Sequence, residues 1–381
     1  MIVIGRLFPK LVPVFGGALL FLVPLARAQV YQQVNLVTDD QSANSAIIQD
    51  PNLVNAWGVS FSGSSPFWVS DNGAGVSTLY SVNPVTDHPS IVNLVVNTGG
   101  AGNPTGQSSN PQASAGAFNH DNFLFVGEDG TISGWRGALG TAAEILQLGS
   151  AVNVYKGTTV ASTGGHEYLY AANFRAGSID ILKGDAAAPN LTGNFTDPGL
   201  PSGFAPFNIR SLGGKLYVTY AMQDATKHDD VPGAGLGFVD AFDLQGNFLS
   251  RIASQGTLNS PWGLEIAPPE FGPLAGDLLV GNFGDGRINA FDLNGNVFEG
   301  QLAESPGHPL SIDGLWALTV GNNGGGGSSD KLYFSAGPNG ESHGLFGLVR
   351  QVPDAGSTLV CLIMSLSGMA AFSGQIRNSK S

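Results

Sequence analysis

The sequence repeats itself, and the repeat limits what the chain can become. Residues 278–293, LLVGNFGDGRINAFDL, read as two β-strands around a tight turn. The apolar run 278–280 is one strand, Asn282-Phe283-Gly284-Asp285-Gly286 is turn chemistry, and 288–291 carries apolar residues at alternate positions. The pattern recurs at 70–80 (SDNGAGVSTLY) after Phe67-Trp68-Val69, and at 172–182 (ANFRAGSIDIL) after Tyr168-Leu169-Tyr170. A looser copy occupies 124–135, and two more lie within 216–244 and 332–348. Aligned on Gly75, Gly177 and Gly286, the residues four places earlier are Asp71, Asn173 and Asn282.

Each hairpin has strand-like neighbours. Ahead of it stands an aromatic-rich segment: 55–59 with Trp57, 115–118 with Phe118, 206–209 with Phe207, 261–266 with Trp262, and 314–318 with Trp316. The third repeat is weakest here, offering only 152–160. Behind the hairpins come more polar strands, such as 91–96, 145–148, 248–252 and 297–302. The step between repeats is about 40 to 60 residues, the range of propeller blades. A lone four-stranded blade leaves both faces bare, so blades must pack side by side and close a ring. The chain is therefore expected to be all-β, a six-bladed β-propeller with four-stranded blades over 29–350. The five aromatics named above are expected between blades near the axis. The strand 31–38 lies outside the repeats and is expected to complete the last blade. Segments 99–116, 224–237 and 322–329 are polar and Gly-rich, and are expected to be mobile surface loops.

Charged residues make up 12% of the chain, with 16 basic against 29 acidic and a net charge of −13. Such a surface argues against nucleic acid and against anionic lipid as partners. With a single cysteine, Cys361, no internal disulfide forms.

The two ends differ from the body. Residues 1–28 combine Arg6 and Lys10, an apolar run over 11–25 and an Ala26-Arg27-Ala28 site, which reads as a cleaved signal peptide. At the other end, Val352-Pro353-Asp354-Ala355-Gly356-Ser357-Thr358 precedes an apolar run over 359–372 and a basic terminus with Arg377 and Lys380. A short signature, an apolar segment (359–376) and cations form a tripartite sorting tail over 351–381. This tail resembles the VPDSG variant of the PEP-CTERM signals, carried by Val352, Pro353, Asp354, Gly356, Ser357 and Thr358, with Ala355 departing from the pattern. The resemblance implies processing by an exosortase-type enzyme and a place on the cell surface or in the extracellular matrix, with membrane contact only through the terminal segments.

The body, about 34–349, is similar to an uncharacterised family of exported propeller proteins through NLVTDD (35–40), NAWGVSFS (55–62) and FWVSDNGAG (67–75). Its blades resemble NHL-type repeats, as in Pro261-Trp262-Gly263-Leu264, Leu279-Val280-Gly281-Asn282 and Arg287-Ile288-Asn289-Ala290-Phe291. These resemblances imply fold and location and carry no activity.

No G-x-S-x-G, H-E-x-x-H, Walker loop or C-x-x-C-H motif is present, and the six histidines lack ligand spacing. The repeat geometry offers one candidate site. In a propeller, the turns between second and third strands open on one face around the axis. Asp71, Glu128, Asn173 and Asn282 fall at that turn in four blades, a ring of hard oxygen donors suited to Ca2+. The arrangement resembles that by which propeller lactonases bind metal and polarise a carbonyl. The same Asp and Asn residues also suit capping of their own turns. His228-Asp229-Asp230 reads either as help in holding a cation or as a charged loop tip. Three functions follow: a non-enzymatic binding module for extracellular polysaccharide or an envelope protein, which is favoured; a divalent-metal-dependent hydrolase or lactonase of the envelope, the alternative; and a purely structural component of the extracellular matrix.

Overall fold

The computed structural model describes residues 29–352, and within them the repeats become six antiparallel blades in a ring. The expected signal peptide 1–28, the expected sorting residues Pro353, Asp354, Gly356, Ser357 and Thr358, and the expected membrane segment 359–376 lie outside the described residues. Among the described residues no helix is long and apolar enough to cross a membrane.

Blade 1 runs outward through Ala56–Ser60, Phe67–Asp71, Val76–Val82 and Pro89–Ile91. Blade 2 comprises Pro104–Ser109, Phe123–Gly127, Ile132–Trp135 and Glu144–Gln147. Blade 3 has Tyr155–Thr163, His166–Asn173 and Ser178–Lys183. Its outer edge carries no fourth strand; instead Ala188, Leu191, Phe195 and Leu200 pack as coil against Tyr168 and Tyr170. Blade 4 is Phe204–Leu212, Lys215–Met222, Gly237–Phe242 and Phe248–Ser254. Blade 5 is Pro261–Ile266, Leu278–Asn282, Ile288–Asp292 and Val297–Gln301. Blade 6 takes Leu315–Val320, Leu332–Ala336 and Leu345–Val352 from the end of the ring. The strand Val30–Thr38 completes it, antiparallel to Leu345–Val352 with Tyr31 opposite Gln351 and Val34 opposite Leu348. Closure by the two ends of the chain removes the open edges a curved sheet would otherwise expose.

The second strand of each blade is sandwiched by the blades on either side, so both of its faces are buried. Phe67–Asp71, Phe123–Gly127, Leu278–Asn282 and Leu332–Ala336 are buried at every position. This is why they read as short apolar runs instead of alternating ones.

The innermost strands obey a different rule, and here the sequence reading needs correction. Residues 99–116 are not a mobile loop, because they contain the innermost strand of blade 2, Pro104–Ser109. Residues 115–118, expected as that strand, form short 3-10 turns with Phe118 at φ 49°. Near the axis the strands converge until backbone meets backbone. A Cβ on Gly58 would lie 2.6 Å from Thr105 O, and one on Gly106 would lie 2.4 Å from Thr158 N. Large apolar side chains do not fit at these points. Small and polar residues do, and they hydrogen-bond across blades: Thr105 Oγ1 donates to Tyr155 O at 2.8 Å, and Gln107 Nε2 donates to Gly58 O at 2.8 Å and Trp68 O at 2.6 Å. Low complexity in this stretch reflects crowding.

Residues 322–329 are likewise tied down. Val82 N donates to Gly325 O (2.8 Å), Gly325 N to Ser64 O (2.9 Å) and Asn322 Nδ2 to Ser65 O (2.8 Å), fastening blade 6 to blade 1.

Aromatic contacts among blades 1, 4, 5 and 6 locate the axis. Trp57 of blade 1 stacks on Trp316 of blade 6 at 3.5 Å and meets Trp262 of blade 5 edge-on at 6.3 Å. Trp316 also touches Phe207 of blade 4 at 5.8 Å and stacks on Phe283 at 4.0 Å. Trp262 Nε1 donates to Lys156 O, across from blade 5 to blade 3, at 3.0 Å. The tryptophans therefore plug the channel. Phe118 does not join them: it packs with Leu124, Val126 and Leu169 between blades 2 and 3.

Candidate functional site

The innermost strands all run the same way along the axis. Their starting ends, together with the turns between second and third strands, make one mouth of the channel above the tryptophan plug. Lys156 stands at its centre, on Tyr155–Thr163, with its side chain only 2% exposed. Its ammonium lies 5.2 Å from the ring centre of Trp57, a cation–π contact in a desolvated place.

Five other blades contribute to the same mouth. Lys156 Nζ donates to Glu128, from the hairpin turn of blade 2, and to Asp229 Oδ1 at 3.0 Å, from the insertion of blade 4. Glu128 Oε2 accepts from Asn72 Nδ2 of blade 1 at 3.2 Å. Asn72 Oδ1 accepts from Asn55 Nδ2 at 3.3 Å, and the same amide donates to Glu341 Oε1 of blade 6 at 3.1 Å. Asn55 Oδ1 in turn accepts from Trp316 Nε1 at 3.3 Å, which joins the polar ring to the plug. Asp230 lies beside Ser260, at the entry to blade 5.

The insertion 224–237, expected as a mobile loop, is folded back on itself. Asp224 N donates to Asp229 O at 2.8 Å, Asp224 Oδ1 accepts from His228 N at 2.9 Å, and Val231 N donates to Met222 O at 2.8 Å. These bonds place Asp229 and Asp230 over the axis.

The electrostatics are lopsided. One ammonium faces Glu128, Asp229, Asp230 and Glu341. Burial works against the charge on Lys156, yet Glu128 and Asp229 together hold its pKa above the ordinary lysine value. Burial likewise pushes Asp230 and Glu341 upward, partly opposed by Ser260 and Asn55 respectively and by the Lys156 charge. Asp229 ends below its ordinary value: burial raises it, but Lys156 and a 2.8 Å contact with His228 Nδ1 outweigh that.

Of the four residues expected to ring the axis, Glu128 is brought into this cluster. The other three are engaged elsewhere. Asn173 Nδ2 donates to Asn153 Oδ1 (3.0 Å) and Asp180 Oδ2 (2.8 Å), and its Oδ1 accepts from Ala176 N (3.1 Å) in its own turn. Asn282 Nδ2 donates to Thr257 O (2.8 Å) and to Asp285 Oδ1 (3.0 Å). Asp71 is wholly buried near Thr78 and Asp50, and burial pushes its carboxyl well above the usual range. The next residue, Asn72, faces the axis instead. A strand alternates its side chains, and the axial one is displaced by a single place from the polar position that recurs among the repeats. The sequence reading missed Lys156, Asn55, Asn72 and Glu341. The available signal was a lysine within 152–160, the stretch offered as the innermost strand of the third repeat, where an unpaired charge is prohibitive.

Glu128, His228 and Asp229 present ligand atoms within 4.8 Å of one another, the one such group among the described residues. The donor set fits Ca2+ poorly. Glu128 Oε1 and Asp229 Oδ1 are already held by the Lys156 ammonium, which competes with a cation for both carboxylates.

No family model matches the sequence. Uncharacterized protein R648 of Acanthamoeba polyphaga mimivirus is 33% identical over 308 residues, covering 77% of this chain and 74% of that protein. Uncharacterized protein L690 of the same virus is 30% identical over 344 residues, covering 84% and 86%. Among solved structures, the α-L-arabinofuranosidase Arb93A from Fusarium graminearum superimposes with a TM-score of 0.51 at 11% identity over 84% of this chain and 98% of that one, a likeness of fold alone. Identity at this level over most of both chains makes the conclusion plain: this propeller belongs to the same family as mimivirus proteins R648 and L690.

Proposed function

We propose that the chain is an exported binding propeller of the cell surface or extracellular matrix, without catalysis of its own, that engages a polysaccharide or an envelope protein. The observation that carries this reading is Lys156. In a metal-dependent propeller hydrolase, the axial carboxylates need a divalent cation to polarise a substrate carbonyl. Here an internal, buried ammonium supplies the positive charge, already bonded to Glu128 and Asp229. An ammonium held this way competes with a divalent cation for both carboxylates. Export and sorting rest on residues 1–28 and on Val352 to Thr358, through an exosortase-type processing enzyme.

The reading is tested by incubating the purified protein with a panel of lactones and esters, and in parallel with envelope and extracellular polysaccharide fractions in a co-sedimentation assay. Retention in a polysaccharide or envelope-protein fraction with no turnover is the expected result. Turnover that is lost in Glu128→Gln would overturn it. That second reading, a divalent-metal-dependent lactonase or hydrolase, draws on the proximity of Glu128, His228 and Asp229.

A further inference from the structure

The opposite mouth of the channel, where the six innermost strands end, holds a cavity of about 230 Å3. Every blade lines it, through Phe61, Gln107, Thr159, Arg210, Glu265 and Thr319 among others. The tryptophan plug separates it from the Lys156 cluster.

The cavity is built around a buried ion pair. Glu265 is 5% exposed, and Arg210 Nη2 donates to its Oε2 at 3.0 Å. Each carboxylate oxygen is engaged, since Oε1 accepts from Ile266 N at 2.9 Å and Oε2 also accepts from Val320 N at 3.3 Å. Arg210 is not. It uses one N–H on Glu265 among the described residues, and a guanidinium carries five. Thr159 Oγ1 accepts from Ser211 N at 3.2 Å, leaving its own O–H to donate, and Ser60 Oγ is buried with no partner. The unspent hydrogen-bonding capacity is thus mainly of donors and hydroxyls, with Phe61 as an apolar wall.

We propose that this mouth binds one neutral hexose ring, the terminal unit of a glycan. Sugar hydroxyls accept from Arg210 and exchange bonds with the cavity's serines and threonines, while the ring's C–H face rests on Phe61. Neutrality follows from charge. Glu265 already balances Arg210, and the chain carries −13 overall, so an anionic ligand gains no net attraction. A single ring follows from size, because the cavity is below the roughly 300 Å3 at which pockets for larger ligands begin. This inference rests on the binding reading above and gives its ligand a chemical class.

The test is calorimetric titration of the purified protein with the methyl glycosides of glucose, galactose and mannose. At least one is expected to bind. Ser211→Tyr, which fills the cavity and keeps the ion pair, and Arg210→Lys, which keeps the charge and loses the planar fork, should each weaken it at least tenfold. Thermal melts verify that both variants fold, and Arg287→Gln, at an exposed side chain that does not line the cavity, should leave the affinity unchanged. Absence of binding by all three glycosides, or binding indifferent to both cavity variants, would overturn the inference. Should that happen while polysaccharide or envelope protein still co-sediments, the binding reading stands. Turnover of a lactone or ester removes the binding reading itself.

Discussion

Lys156 of blade 3 holds Glu128 of blade 2 in an ion pair at the propeller axis, with the lysine side chain 2% exposed and a tryptophan from blade 1 beneath it. The pair adds a charged tie between blades already bonded through Thr105 and Tyr155, and it sets a positive charge inside the channel mouth.

Replacing Lys156 with Met should lower stability by about 1–3 kcal/mol, since it leaves the partly buried Glu128 without a counter-charge. The same variant opens the oxygens of Glu128 and Asp229 to a metal. Millimolar Ca2+ should therefore raise its melting temperature while leaving the parent protein unmoved. Thermal melts of both, with and without Ca2+, check the pair of statements.

Asp71 gives a pH prediction. Burial raises its folded pKa well above the usual value, so the folded state binds a proton that the unfolded state has released. Its contribution is fully present below the unfolded pKa of about 3.9 and is lost as pH rises toward the folded one. Asp71→Asn mimics the protonated form. It should leave stability at pH 4 nearly unchanged and raise it at pH 8, as read by urea unfolding at both values. A metal-ligand role for Asp71 would produce the opposite: loss of stability at pH 8 in the presence of the ion.

The tryptophan plug predicts a core effect. Trp316 is 1% exposed and in ring contact with Trp57, Trp262, Phe207 and Phe283. Trp316→Ala should cost about 3–5 kcal/mol in chemical unfolding.

Close packing of the innermost strands predicts that a single methyl is felt. Gly106→Ala would drive a Cβ to within 2.4 Å of Thr158 N, backbone that has no room to retreat. A loss of about 1–3 kcal/mol is expected, the cost of overpacking, while Gly177→Ala, with open space around its Cβ but φ +70°, should lose about 1–2 kcal/mol from backbone strain alone. Paired unfolding curves separate the two causes.

The repeat was legible because the hairpins carry their own signal: an apolar run, turn residues at fixed places, then alternation. Six of them dictate a ring, and the strand Val30–Thr38 had only one edge left to join. The inner strand Pro104–Ser109 was not legible, because near the axis the packing partner is backbone and selects Gly, Thr and Gln over Val and Ile. The candidate site was half legible. The face was foreseeable from topology, and Glu128 is there, but Asn173 and Asn282 spend their amides on their own turns. Lys156 and the folded insertion bearing Asp229 depend on tertiary placement that no spacing along the chain encodes.

The most direct test of the account is the metal content of the purified protein by elemental analysis, paired with thermal melts before and after chelation. Pairing of Glu128 and Asp229 with Lys156 predicts no stoichiometric divalent cation and a melting temperature indifferent to chelator. One equivalent of bound metal whose removal lowers the melting temperature would contradict it and place catalysis at Glu128, His228 and Asp229.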